Sequence, residues 1–133
     1  MELLGAERVS SMVPVGDLVR GGAMVTYGSD WDNVPEPTPW LGLQTLVTRM
    51  NPDNPEQGVL GPAQRVDLET ALQILTINGA HAMELEKVTG SIEAGKDADM
   101  IVLDQNLFKI PVDKIIDTKV SRTVLKGKTV YAK

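Results

Sequence analysis

Apolar positions follow two different rhythms along this chain. Up to about residue 85 they recur at helical spacing, and beyond Gly90 they come in short runs bounded by Gly, Asp and Lys, as β-strands do. Val15 to Arg20 reads as a short helix ended by Gly21-Gly22, since glycine accepts the left-handed conformation of a helix C-cap. Ala23 to Tyr27 is nearly continuous in apolar side chains and predicts a strand covered on both faces, as in a parallel sheet. Gly28-Ser29 breaks it and leaves Asp30 at its C-terminal end. Trp31 to Pro39 holds three of the eight prolines and predicts an exposed loop beside that end. Trp40, Leu43, Val47 and Met50 then mark one face of a helix starting just after Pro39, and Asn51 to Pro62 is a second loop.

Asp67 is a suitable N-cap for a helix whose apolar face is Leu68, Ala71, Leu72 and Leu75. Asn78-Gly79 is expected to end or bend it, with a further turn over Ala80 to Leu85. Strands are expected at Gly90-Ser91-Ile92, Met100 to Leu103, Val120 to Leu125 and Thr129 to Tyr131, with Gly127 turning the last hairpin. The chain therefore divides into residues 1–88, one strand followed by helices, and residues 89–133, mostly β. A lone strand cannot make a sheet, so the run at 23–27 requires neighbours that nothing before it supplies.

Length sharpens that requirement. The 133 residues suffice for one domain with a core but fall well short of the ~250 of a complete (β/α)₈ barrel. Composition, 42% hydrophobic and 23% charged, is that of an ordinary soluble chain, and no apolar run is long enough to span a bilayer. A net charge of −5 argues against nucleic acid as a partner, because counterion release needs clustered Lys and Arg. Positive residues gather only near the C-terminus, at Lys114, Lys119, Arg122, Lys126, Lys128 and Lys133, where they read as solvated lysines guarding strand edges. Met1 to Gly5 has neither the basic start nor the apolar core of a secretory leader, so a cytoplasmic location is expected. With no cysteine there is no thiol nucleophile, disulfide or thiolate metal site.

Tyr27-Gly28-Ser29-Asp30, the run Gly90-Ser-Ile-Glu-Ala-Gly-Lys-Asp-Ala-Asp-Met-Ile-Val-Leu-Asp104, and Thr76-Ile-Asn-Gly-Ala80 between them resemble, in order, the C-terminal portion of the amidohydrolase superfamily. Within it they are similar to the branch of N-substituted formamide deformylases and exoenzyme regulatory proteins, and the likeness runs from about Leu4 to Tyr131. The resemblance implies an α/β fold: the last strand and helices of a (β/α)₈ TIM barrel, plus strands of a small accompanying β-sandwich. It implies a metal-dependent hydrolase of amide-type C–N bonds, acting on a small molecule with a divalent metal, zinc by expectation. Asp30 matches the family aspartate that ends the eighth barrel strand, where it binds or faces the metal and takes a proton from the hydrolytic water.

The remaining ligands of that family, a His-x-His, a lysine or acid and two further histidines, have no counterpart here. His81, the only histidine, falls on a predicted helix and reads as a packed or surface residue. Asp97 and Asp99 read as turn residues, while Trp31, Asp32 and Asn33 are candidates to line a substrate pocket, the alternative being that Trp31 simply covers the barrel end. No Ser-His-Asp set is credible, and the glycines at 90 and 95 lack the order of a phosphate cradle. The chain alone is thus expected to be inactive and to bind no metal. It would be a C-terminal piece that associates with an upstream barrel portion, half of a split enzyme, or a non-catalytic module that forms homo-oligomers through its orphan strand.

Overall fold

The computed structural model describes residues 3–33 and 38–133; of the expected loop at 31–39, positions 34–37 lie outside the described residues, as do Met1 and Glu2 of the N-terminal segment. Five helices come first: α1 (Ala6–Ser10), α2 (Val15–Arg20), α3 (Trp40–Thr48), α4 (Leu68–Leu75) and α5 (Ile77–Ala82). Three strands follow, β1 (Met100–Leu103), β2 (Val120–Leu125) and β3 (Lys128–Ala132), with short 3₁₀ turns at Pro55–Gln57, Pro62–Gln64 and Val112–Asp117.

The helix punctuation is mostly where the sequence puts it. After α2, the Gly22 N–H donates to Val19 O (3.0 Å) and the Ala23 N–H to Leu18 O (2.9 Å), with Gly22 at φ +80°. This pair of bonds satisfies carbonyls that the last turn leaves open, and glycine makes it without strain. Asp67 caps α4, its Oδ1 accepting the Thr70 N–H at 2.7 Å. Two expectations need correcting. Met50 is not the last turn of α3: the helix stops at Thr48, Arg49 turns left-handed (φ +57°), and Met50 forms an isolated antiparallel bridge with Val59. Asn78-Gly79 does not end a helix either, for both lie inside α5, and the break falls at Thr76 (φ −124°, ψ −93°). There the Thr76 hydroxyl donates back to Leu72 O (2.6 Å), a local bond that competes with helix continuation.

The strands form an antiparallel sheet in the order β1-β2-β3. Met100 pairs with Val124 and Arg122 with Ala132. The β2–β3 hairpin turns at Lys126 (φ +48°) and Gly127 (φ +76°), the two positive φ values that match the twist of a tight hairpin. The strand expected at Gly90-Ser91-Ile92 is absent: Gly90 and Ser91 lie in a bend, Ile92 is exposed, and Ser91, Glu93 and Lys96 bond one another instead of a neighbouring strand. Ala23 to Asp30 carries no regular secondary structure and pairs with no strand among the described residues. Its burial alternates, with Val25, Tyr27 and Ser29 half-buried and Met24, Thr26, Gly28 and Asp30 exposed. Cover on both faces needs layers on both sides, and among the described residues the hydrogen bond from Asn78 and the ring contact at Gly42 both come from helices, α5 and α3.

One hydrophobic cluster holds these parts together: Val15, Trp40, Leu43, Val66, Ala71, Ile74, Leu107 and Ile115. Leu43, Ile74 and Ile115 are its fully buried members. The last two named in the cluster come from beyond residue 88, and buried Gln44 on α3 fastens the same region by accepting the Ile116 N–H at 2.9 Å. The sheet is less covered, with Ile101, Val102, Leu125, Val130 and Tyr131 all exposed. Lys128 lies on the outer strand β3, whereas Arg122 is on the central strand and the β1 edge carries no charge at all. Among the described residues no helix is long and apolar enough to cross a membrane.

Candidate active site

Asp30, at the end of the segment from Ala23, is exposed. It sits at φ +54°, a left-handed conformation that Asp tolerates because its short side chain bonds locally. Here the partner is Asn33, which donates its side-chain amide to Asp30 Oδ2 (2.9 Å) and its N–H to Asp30 O (2.8 Å). One carboxylate oxygen is thereby committed while Oδ1 makes no bond among the described residues. Trp31 beside it is largely exposed, at 63%.

Behind this segment Tyr27 lays its ring across α3 at Gly42, where a Cβ would overlap the phenol. Glycine inside a helix costs about 0.5–1 kcal/mol relative to alanine, and the close approach of the ring is the reason for it here. Asn78 on α5 reaches 53 positions back to donate its side-chain amide to Val25 O at 2.9 Å. A cavity of about 250 Å³ lies under Tyr27, bordered by Val13, Val25, Gly42, Leu46, Arg49 and Ile74. Arg49 is buried, and burial pushes its guanidinium below the usual range. It clamps two loops by donating Nη2–H to Met12 O (2.8 Å) and Nε–H to Leu60 O (3.0 Å).

The other sequence candidates do not join Asp30. Half-exposed His81, in the last turn of α5, places Nδ1 3.8 Å from Glu86 Oε2. Asp99 works as a turn residue, Oδ2 accepting from the Thr89 hydroxyl (2.9 Å) and Oδ1 from the Lys126 N–H (2.8 Å), and those bonds hold its carboxyl below the usual carboxylate range. Asp97 lies 3.8 Å from Lys126 Nζ. Among the described residues no three His, Cys, Asp or Glu side chains converge. A metal ion needs several such ligands, so these residues do not fit a metal centre by themselves. Gly42, Arg49 and Asn78 were missed as site-region residues. Their roles depend on partners 11 to 53 positions away, and only the Thr-Ile-Asn-Gly-Ala resemblance drew attention to one of them.

The chain is 32% identical over 129 residues to Protein LONG AFTER FAR-RED 3 of Arabidopsis thaliana, covering 96% of this chain and 21% of that protein. It is 30% identical over 116 residues to an N-substituted formamide deformylase of Arthrobacter pascens, covering 87% and 21% respectively. In fold it matches the crystal structure of an amidohydrolase from Thermotoga maritima MSB8, with a TM-score of 0.66 and 24% identity over 90% of this chain and 26% of that one. The chain thus spans only about a fifth to a quarter of the length of these relatives. A profile of the amidohydrolase family matches residues 1–131, and the chain belongs to that family.

Proposed function

We propose that this chain is the C-terminal part of a metal-dependent hydrolase of amide-type C–N bonds on small molecules, and that Asp30 is its contribution to the active site. Residues 1–88 would carry the last strand and flanking helices of a (β/α)₈ barrel, and residues 89–133 strands of the small β-sandwich. The observation that carries the reading is the juxtaposition of the family match over 1–131 with Asp30 at the end of an apolar segment that pairs with no strand among the described residues. Barrel hydrolases of this type work at the C-terminal ends of their strands, which is where this reading puts Asp30. In this role the free carboxylate oxygen of Asp30 accepts a proton from the hydrolytic water and returns it to the leaving nitrogen. A divalent ion, zinc by expectation, belongs to the proposal only with ligands from an upstream barrel portion, since the described residues do not fit one alone. A cytoplasmic setting, consistent with the absence of cysteine, is part of the same proposal.

The exposed side of 23–28 and the uncharged β1 edge also favour association, with the upstream portion or with a second copy of the chain. Reconstitution tests the reading. The purified chain mixed with zinc is expected to show neither stoichiometric tight binding nor amidase turnover. Combined with the upstream portion of an amidohydrolase relative, it is expected to restore turnover that Asp30→Asn lowers about 10²–10⁴-fold. Robust turnover by the chain alone, or a restored activity indifferent to Asp30→Asn, overturns it.

A further inference from the structure

A strand in a sheet takes its shape from its neighbours' backbone, yet the segment leading to Asp30 has no strand neighbour among the described residues and still alternates, with Val25, Tyr27 and Ser29 half-buried and Met24, Thr26 and Gly28 exposed. Something else holds it. The first hold is at its start, where the Ala23 N–H donates to Leu18 O. The second is at Val25, whose carbonyl would face a strand partner's N–H in a sheet and here receives the Asn78 side-chain amide. The third is at Tyr27, whose ring needs the missing Cβ of Gly42. The last is Asp30 itself, closed over by Asn33.

We propose that Asn78 and Gly42 are positioning residues for Asp30: helices α5 and α3 fix the segment at Val25 and Tyr27, so the carboxylate is set before any other strand pairs with it. This rests on the reading of Asp30 given above and adds to it a division of labour. Even a fully extended strand advances by only ~3.3 Å per residue, so the holds at 25, 27 and 30 lie at most roughly 7 and 10 Å apart along the chain, too short for it to wander between them. The kink at Thr76 is part of the device. It separates α5 from α4 and keeps Asn78, half-buried, directed across the fold to Val25. Gly42 is the complementary element, because any side chain there would displace the Tyr27 ring.

The amide donor is what distinguishes this from simple packing. Asn78→Asp fills the same space but has no N–H to offer at neutral pH, whereas Asn78→Gln keeps the donor on a longer arm. The experiment is ¹⁵N relaxation on the full chain without substrate or metal, comparing wild type with Asn78→Ala, Asn78→Asp, Asn78→Gln and Gly42→Ala. In the wild type, order parameters of residues 24–30 are expected near about 0.85, as in rigid backbone, and in Asn78→Ala, Asn78→Asp and Gly42→Ala they fall below about 0.6. Asn78→Gln recovers part of the loss, and β1 to β3 stay ordered in every variant. An already mobile wild-type segment overturns the proposal, as does an Asn78→Asp segment as ordered as wild type. So does loss of order in the sheet together with the segment, which would make Asn78 a general stabiliser. Because no activity is read, a rigid, Asn78-dependent segment alongside failed reconstitution would count against the hydrolase reading alone.

Discussion

Replacing Ile115 by alanine tests whether the two sequence halves share one core. Ile115 is fully buried and lies in the 3₁₀ turn Val112–Asp117, yet the residues it clusters with are mostly on α2, α3 and α4. The change removes three carbons at about 0.8 kcal/mol each and leaves a cavity that the surrounding helices fill only partly. Measured isoleucine truncations in such cores run from about 2 to 5 kcal/mol, and a site with no exposure belongs near the middle, about 3.5 kcal/mol. With a urea slope of about 2 kcal/mol per M for a chain of this size, the unfolding midpoint should fall by about 1.7 M. Trp40 is the natural reporter, since it is buried in the same cluster but lies 75 positions earlier, while exposed Trp31 changes little. The expected result is a single transition in Trp40 emission, moved by the full amount and coincident with loss of circular dichroism. A Trp40 midpoint that moves by less than about 0.5 M, with a second transition carrying the rest, would refute the shared core.

Other outcomes follow from the same structure. Asp67→Ala removes the cap on the Thr70 N–H and should destabilise the chain by about 1 kcal/mol, read as a lower melting temperature, whereas Asp67→Ser should recover most of it. Gly127→Val puts a β-branched residue at φ +76° and should weaken the β2–β3 hairpin by more than about 1 kcal/mol, seen first as faster amide exchange in β3. Four carboxylates are held below their ordinary values: Asp17 by the Gln64 amide and then Arg20, Asp67 by the Thr70 N–H, Glu93 by the Ser91 hydroxyl and then Lys96, and Asp99 by the Lys126 N–H and then Thr89. Their unfolded counterparts protonate near about 3.9–4.3, so the stabilisation is present above that range and is lost as pH falls through the lower folded values. The urea midpoint should therefore decline below about pH 4, and less steeply in Asp99→Asn; a midpoint that rises on acidification would contradict the hydrogen bonds assigned to these groups.

Where one residue's chemistry decides the local backbone, the sequence alone was enough. Gly21-Gly22 had to end α2, Asp67 had to start α4, and the last two strands had to turn at Gly127, because each step depends on a conformation or a bond available within a few residues. The resemblance in Gly90 to Asp104 likewise led to the family now shown by the match over 1–131. Reading failed where the outcome depends on what is adjacent in space. Ala23 to Tyr27 has strand composition, but a strand is a pairing, and no partner lies among the described residues. Gly90 to Ile92 fails for the same reason. Asn78-Gly79 has the composition of a helix end, but the Thr76 hydroxyl breaks the helix earlier and leaves Asn78 free to bond Val25 across 53 positions. Periodicity and capping are local properties of the chain and can be read in order. The company that Asp30 keeps is decided by packing between distant segments, and only the tertiary structure records it.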